Sequence, residues 1–180
     1  MIKIIFLIIV LLNLAFSSNV DSNNGWNDLH LAIYQGDKSK VELLLKTYDI
    51  DSTTKVGLTP LHIAIKKRDI DLIKYLLDQG ADIEAQDDKG FSPLYYAVVM
   101  NHIPIATLLL SQGANPNTKN NIGNTPLHQM AHKNRTEMFE LFTSYGVKVD
   151  VENNFAMKPI DFAIEAGNNG MIMLINSQNR

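Results

Sequence analysis

The sequence contains five histidines, the side chains best suited to chemistry near neutral pH. Three of them occupy the same position in a recurring sequence phrase. His30, His62 and His128 each follow a leucine in a short phrase that recurs along the chain. An imidazole can act as a general base or as a metal ligand. A reaction normally uses one such group, whereas Tyr95 and Asp161 occupy the same place in two further copies of the phrase. The pattern therefore favours a structural role for these histidines over catalysis.

Other arrangements that could support chemistry are incomplete. His128 and His132 are four residues apart on one predicted helix, but no third metal ligand stands at a suitable distance. Asp87 and Asp88 lack the alternating spacing and closing glutamate of a calcium loop. The chain has no cysteine, no phosphate-binding glycine loop and no serine–histidine–acid set. We therefore predict no catalytic residues, no metal site, no cofactor and no enzymatic activity.

The phrase around the histidines repeats with a period of 33 residues. Three copies begin at Gly57, Gly90 and Gly123, and each continues through Thr or Ser, Pro and Leu to His or Tyr. A weaker copy begins at Ala156, and Gly25 opens a first copy 32 residues before Gly57. A period in this range is typical of stacked units, none of which can bury its apolar face alone.

The residue types within each copy predict two helices separated by a tight turn. A hydroxyl residue stands at the N-cap, a proline follows at the first helical position, and leucines recur at helical spacing. A glycine then follows the second helix, where a left-handed residue is favoured. In the three clearest copies these residues are Thr59, Ser92 and Thr125, then Pro60, Pro93 and Pro126, then Gly80, Gly113 and Gly146.

This pattern resembles the ankyrin repeat, whose motif continues to Leu-Leu-x-x-Gly-Ala-Asp, as at Leu76 to Asp82 and Leu109 to Asn115. The resemblance covers residues 25–176 and implies an all-α ankyrin-repeat solenoid of helix–turn–helix units joined by hairpin-like loops. It also implies that each motif histidine stabilises the turn through a hydrogen bond between its ring and neighbouring backbone. The expected repeats span residues 25–56, 57–89, 90–122, 123–155 and 156–176, followed by a tail at 177–180.

The first and fifth repeats depart most from the motif, and we interpret them as caps around three central units. The first has Asn27-Asp28 in place of Thr-Pro. In the fifth, Gly167 and Gly170 precede the second helix, which we expect to run only from Met171 to Asn176.

The net charge is −3, from 16 basic and 19 acidic residues, and the only basic run is Lys66-Lys67-Arg68. Binding a phosphate backbone needs clustered lysine and arginine, so we predict no nucleic-acid partner. Nothing in the sequence indicates symmetry, and we expect a monomer.

The N-terminus has the pattern of a secretory signal peptide. A basic start at Lys3 precedes Ile4 to Phe16, which are apolar except for Asn13, and small residues allow cleavage after Ser17. We predict a signal peptide at residues 1–17 and a polar leader at 18–24. The richness in isoleucine and asparagine indicates an AT-rich genome, so a bacterial protein of the periplasm, or one secreted beyond it, is expected. An uncleaved anchor in the inner membrane is the alternative, although a spanning helix needs about 20 apolar residues.

In ankyrin-like stacks, partners meet the loop tips and the exposed face of the first helices. The residues at those places, called here the strip, are Trp26, Tyr34, Val56, Leu58, Lys66, Lys67, Phe91, Val99, Met100, Ile122, His132, Phe155 and Met157. Most are apolar, as at protein interfaces. Trp26 and Phe91 are the predicted anchors, and alanine at both is expected to abolish binding with little change in melting temperature. In the alternative interpretation, neighbouring tips such as Ile122 and Phe155 pack on each other and leave little exposed.

These observations predict an exported, non-enzymatic module that binds a protein partner through the strip. Three alternatives remain open at this point. One is a structural scaffold anchored in the membrane by an uncleaved N-terminal segment, and another is a secreted effector that acts on a host protein. The third is an enzyme whose active site is assembled in the concave groove from residues distant in the sequence.

Overall fold

The computed structural model describes residues 24–178, which form ten helices in five pairs and contain no strand. The helices are α1 (Asp28–Gln35), α2 (Lys38–Leu44), α3 (Pro60–Lys67), α4 (Ile70–Asp78), α5 (Pro93–Val99), α6 (Ile103–Ser111), α7 (Pro126–Lys133), α8 (Thr136–Thr143), α9 (Pro159–Glu165) and α10 (Asn169–Gln178). The predicted all-α solenoid of about five repeats is confirmed. The predicted signal peptide, the leader before residue 24 and the last two residues of the tail lie outside the described residues.

The first helices of the first three repeats begin at an N-cap side chain that accepts a hydrogen bond. The Thr59 hydroxyl accepts a bond from the His62 amide (3.4 Å), and the Ser92 hydroxyl accepts one from the Tyr95 amide (3.3 Å). In the first repeat, which lacks Thr-Pro, the Asn27 side chain accepts the corresponding bond from the His30 amide at 3.0 Å. A side-chain acceptor at the N-cap satisfies one of the free amides of the first turn, so these three helices have a defined start.

The helices stack in the order in which they occur along the chain. Each first helix packs on its own second helix and on the first helices of adjacent repeats, so that α1, α3, α5, α7 and α9 form a continuous row. The buried side chains form one core that runs through all five pairs, from Leu29 in α1 to Ile175 in α10. Burial therefore passes from unit to unit, as in a solenoid.

Helix α10 is longer than the sequence predicts, and the expectation of a helix from Met171 to Asn176 is wrong. Gly167 adopts a left-handed φ of 69° and ends the preceding helix, whereas Gly170 lies inside the first turn of α10. The Asn168 side-chain amide donates to the carbonyls of Ala131 (2.8 Å) and His132 (3.0 Å) in α7. These bonds fix the residue that precedes α10, so the helix begins there despite the glycine.

The loops between repeats are joined to one another by backbone hydrogen bonds. The amide of Asp88 donates to the carbonyl of Val56 (3.3 Å), and the amide of Asn121 donates to that of Lys89 (3.1 Å). The Asn121 side chain adds a bond to the Asp88 carbonyl at 2.8 Å. Hydrogen bonds therefore link successive loops along the stack.

Gly90 shows why glycine recurs at the loop tips. Its φ is +78°, and a Cβ placed on it would lie 2.6 Å from the backbone nitrogen of Asn121 in the next loop. Ala156 occupies the same place in the last loop with a φ of 57°, and it is exposed. Both positions require a left-handed backbone, but only Gly90 also has a neighbouring loop packed against it.

Candidate binding surface

The structure leaves most of the strip accessible. Eight of its thirteen side chains are exposed and four are half-buried. Val56, Ile122 and Phe155, at the loop tips, are 57%, 47% and 69% exposed, so neighbouring tips do not cover one another as the alternative interpretation requires. An exposed row of large apolar side chains is therefore present at the predicted place.

Leu58 is the exception, and the prediction that it is exposed is wrong. Its side chain is 7% exposed and belongs to the continuous core. The Leu58 amide donates to the Thr54 hydroxyl at 3.1 Å, and its carbonyl accepts from the Thr54 amide at 3.0 Å. These two bonds close the loop around Gly57 and direct Leu58 inward, where it lines the base of the strip.

Two neighbouring pockets lie on the strip in the first three repeats. The first, of about 360 Å³, is lined by Trp26, Tyr34, Leu58, Ile63, Lys66 and Lys67. The second, of about 380 Å³, is lined by Val56, Leu58, Lys66, Asp87, Asp88, Lys89, Phe91 and Tyr96. Leu58 and Lys66 belong to both linings, so the pockets share a wall. Seven predicted strip residues line these pockets, whereas the other six (Val99, Met100, Ile122, His132, Phe155 and Met157) line neither.

Aromatic rings form the walls of the first pocket and hold a lysine. The Trp26 and Tyr34 rings meet edge to face with centroids 5.4 Å apart. The Lys67 ammonium lies 4.3 Å from the centre of the Tyr34 ring, and cation–π attraction stabilises it there. The pocket therefore combines an apolar interior with a positive charge at its rim.

In the second pocket, Phe91 has a structural role as well as an accessible face. Its ring stacks on Tyr95 with centroids 4.4 Å apart and meets Tyr96 edge to face at 6.2 Å. Tyr95 is almost fully buried, and burial raises the pKa of its hydroxyl to about 12. Aromatic pairs stabilise a fold by about 0.5–1.5 kcal/mol beyond their buried area. We therefore expect alanine at Phe91 to lower stability, in contrast to the expectation from sequence.

The motif histidines connect neighbouring repeats. His62 Nδ1 accepts bonds from the Thr59 amide (3.2 Å) and hydroxyl (2.9 Å), so the proton of the neutral ring is on Nε2. Nε2 then donates to the carbonyl of Phe91 in the next repeat at 3.1 Å. His128 makes the same bonds to Thr125 and to the Met157 carbonyl. The predicted ring-to-backbone bond is confirmed, and it extends beyond the local turn to the following loop.

His30 follows the same local pattern in the first repeat. Its Nδ1 accepts from the Asn27 amide at 3.1 Å, and Nε2 donates to the Ser52 carbonyl at 2.9 Å. Ser52 belongs to the loop of the same repeat, so this bond does not cross to the next unit. All three rings are 0% exposed and serve the fold.

Acid is expected to destabilise the stack through these three rings. Burial lowers the pKa of His30, His62 and His128 below 6.5, and the bond to a carbonyl opposes this shift only partly. On acidification the histidines of the unfolded chain are protonated before those of the folded chain, and this favours unfolding. The stability that the neutral, buried rings contribute is therefore fully present above pH 6.5 and is lost as the pH falls through the lowered pKa of the folded state. The denaturant midpoint should therefore fall between about pH 7 and pH 5, before most carboxylates titrate. A midpoint that holds constant or rises on acidification would contradict this role, and a His62→Gln variant should show a weaker dependence.

A set of loop residues important to the strip was missed by sequence reasoning. Asp87 Oδ1 accepts bonds from the amides of Lys89 and Phe91, both at 2.9 Å. Asn120 and Asn153 make equivalent bonds in the next two loops, and Thr54 makes one of them in the first loop. These side chains stand three residues before the motif glycine or its equivalent, at the same period as the motif. This recurrence in the sequence could have identified these residues. The two bonds from backbone amides show that Asp87 orients the loop tip.

Residues 24–178 contain no candidate for two other kinds of site. Over this part of the chain, no three histidine or carboxylate side chains are grouped so as to hold a metal ion. Within the same range, no helix has the length and apolar character needed to span a membrane.

A row of paired helices with one continuous core and a row of loop tips defines a repeat solenoid that presents an extended binding face. Family models agree with this class. The family described as "Ankyrin repeats (3 copies)" matches residues 29–120, and that described as "Ankyrin repeat" matches residues 122–154. The chain belongs to the ankyrin-repeat family, whose repeats are protein–protein interaction modules.

Curated relatives share the repeats over short stretches. The chain is 39% identical over 67 residues to Delta-latroinsectotoxin-Lt1a of Latrodectus tredecimguttatus, covering 36% of this chain and 6% of the toxin. It is 43% identical over 60 residues to Palmitoyltransferase AKR1 of Lachancea kluyveri, covering 33% and 8%. It is 39% identical over 67 residues to Putative ankyrin repeat protein L371 of Acanthamoeba polyphaga mimivirus, covering 37% and 9%. The chain spans less than a tenth of each of these three relatives, so the similarity concerns the repeats.

Proposed function

We propose that this protein is an exported, non-enzymatic module that binds a protein partner through the strip. The observation that carries the proposal is the pair of adjoining pockets, whose linings combine aromatic and aliphatic side chains of three successive repeats with charged side chains. Surface of this kind is enriched at the centres of protein interfaces. The loops that bear it are fixed by side-chain and backbone hydrogen bonds, so little ordering is needed on binding.

A photocrosslinking residue tests the surface directly in the producing cell. Val56 on the strip is the test position, and Leu43 on the second helix α2 is its control. The two side chains have similar exposure, 57% and 62% respectively. A crosslinking side chain at Val56 is expected to give a defined adduct with a single partner, and one at Leu43 should not. Equal labelling from both sites, or an adduct from Leu43 alone, would reject the strip as the binding surface.

The binding contribution can then be measured with the captured partner. Val56→Asp replaces an apolar side chain at the edge of the second pocket with a carboxylate, and Leu43→Asp makes the same change on α2. We expect Val56→Asp to weaken the complex by about tenfold or more, because it removes an apolar contact and adds a charged group that must lose water on association. Leu43→Asp is expected to leave the affinity unchanged, and a similar loss in both variants would indicate an effect on folding.

Export is the second part of the proposal and is supported by the N-terminal sequence. A short basic start followed by thirteen residues from Ile4 to Phe16, all apolar except Asn13, is typical of a cleaved signal peptide. Mass spectrometry of the native N-terminus, combined with cell fractionation, tests it. A start near Ser18 in a soluble exported fraction supports periplasmic or secreted location. An intact Met1 in the membrane pellet would favour the alternative of an anchored scaffold.

A further inference from the structure

We infer that the two pockets receive an acidic peptide segment that carries one large apolar side chain. The apolar side chain enters the first pocket between Trp26 and Tyr34, and the carboxylates lie at Lys66 and Lys67. This inference rests on the proposed function, because it names the partner chemistry of the same surface. It specifies the charge of the partner and the type of side chain that anchors it, neither of which follows from the family or the fold.

The distribution of charge across the central repeats supports an acidic partner. The first helices α3, α5 and α7 carry Lys66, Lys67 and Lys133 and no acidic residue. The second helices α4, α6 and α8 carry Asp71, Asp78, Glu137 and Glu140, with Lys74 as their one basic residue. The whole chain has a net charge of −3, whereas the first helices of the central repeats have a net positive charge. Complementary charge at an interface selects the partner and speeds association.

Two lysines on this face are positioned and available. The Lys67 ammonium lies 4.3 Å from the centre of the Tyr34 ring, and the Lys66 ammonium lies 5.7 Å from that of Tyr96. Within residues 24–178, neither ammonium forms an ion pair with a carboxylate. Cation–π contacts hold the two charges at the pocket rims, where an incoming carboxylate can pair with them.

The charge of the second pocket is balanced, because its lining contains Lys66 and Lys89 as well as Asp87 and Asp88. Asp87 is buried, and its oxygens accept bonds from two backbone amides and from the Tyr96 hydroxyl at 2.7 Å. Asp88 is exposed and lines the same pocket, next to Lys89 in the chain. The first pocket has no acidic side chain in its lining. Carboxylates of a partner are therefore best accommodated on the Lys67 side of Lys66.

The first pocket selects an apolar anchor. Its floor consists of Leu58 and Ile63, which are buried, and its walls are the rings of Trp26 and Tyr34. A volume of about 360 Å³ admits one aromatic or branched aliphatic side chain with its backbone. A nucleic acid fits this site less well, because a phosphate backbone requires a continuous row of cations and Asp88 interrupts this one. A protein segment with acidic and apolar residues fits both features.

Selection from a randomised displayed-peptide library against the purified protein tests the inference. We expect enriched sequences in which acidic residues flank one Phe, Leu or Trp. Synthetic copies with a Phe anchor should change the emission of Trp26, the only tryptophan, on binding. Lys66→Glu combined with Lys67→Glu should weaken that binding by about tenfold or more. Lys74→Glu, the same charge change on α4, should leave it unchanged.

The outcomes separate the two levels of the proposal. If enriched peptides are neutral or basic, and Val56→Asp abolishes their binding, the strip binds peptides but the acidic chemistry is wrong. If no enriched peptide depends on Val56 or Trp26, the proposed function itself fails. If a single-stranded oligonucleotide binds more tightly than the acidic peptides and requires the same lysines, the partner is a nucleic acid and the inference is overturned.

Discussion

His62→Ala is expected to lower the free energy of unfolding by about 3–5 kcal/mol, a large share of the stability of a small domain. The ring is fully buried, and it accepts two bonds from Thr59 and donates one to the Phe91 carbonyl. Alanine removes the ring and leaves buried polar groups of two repeats without partners. The loss should therefore separate the second repeat from the third as well as weaken the local turn.

His102→Ala provides the control for the loss of an imidazole as such. His102 is half-buried, and its ring accepts one bond from the Ile105 amide at 3.3 Å at the start of α6. Removal of an N-cap acceptor costs about 0.5–2 kcal/mol. Both variants can be compared by denaturant unfolding, followed by far-ultraviolet circular dichroism and by Trp26 emission, which reports the first repeat. Equal losses would show that the bond between repeats contributes little.

Gly90→Ala is expected to destabilise the protein by about 2–4 kcal/mol through two separate terms. A left-handed backbone disfavours any side chain, and here the added Cβ would also lie 2.6 Å from the Asn121 nitrogen. Backbone atoms cannot move aside without breaking the bond from Asn121 to the Lys89 carbonyl (3.1 Å). The loop tips of the third and fourth repeats would then be forced apart.

Two further variants separate the terms. Gly80 has a φ of +92°, and a Cβ added there would have no atom within 4 Å, so Gly80→Ala should cost only about 1 kcal/mol. Ala156 has a φ of 57° in the last loop, and Ala156→Gly should leave stability unchanged or raise it by up to about 1 kcal/mol. Denaturant midpoints rank the three variants. If Gly90→Ala and Gly80→Ala lose equal stability, contact between loops is not the reason for the recurring glycine.

The sequence predicts those features of the fold that depend on residues close together in the chain. The start of α3 is an example, since Thr59 and Pro60 specify an N-cap and a first helical position locally. The length of α10 was not predictable in this way. Gly167 and Gly170 indicate a break, whereas the bonds from Asn168 to α7 join residues 36 and 37 positions apart.

The candidate surface was predicted in outline and differs in detail for the same reason. Positions before the motif glycine are exposed at Val56, Ile122 and Phe155, as the repeat register implies. Burial of Leu58 and stacking of Phe91 on Tyr95 depend on how each loop closes and on its neighbours in the next repeat. The pockets combine side chains from repeats that the sequence separates by more than 30 positions. Periodicity predicts that such residues lie on one face, but it does not predict the depth of the pockets that they form.

Three of the bonds that join one repeat to the next share a property with consequences for how this surface can evolve. His62 donates to the main-chain carbonyl of Phe91, Asn121 to that of Asp88, and the Asp88 amide to that of Val56. Each of these acceptors is a backbone carbonyl, so each hydrogen bond can form whatever side chain the acceptor residue carries. Selection can therefore replace the residues that a partner touches, one repeat at a time, while these joints between repeats stay the same.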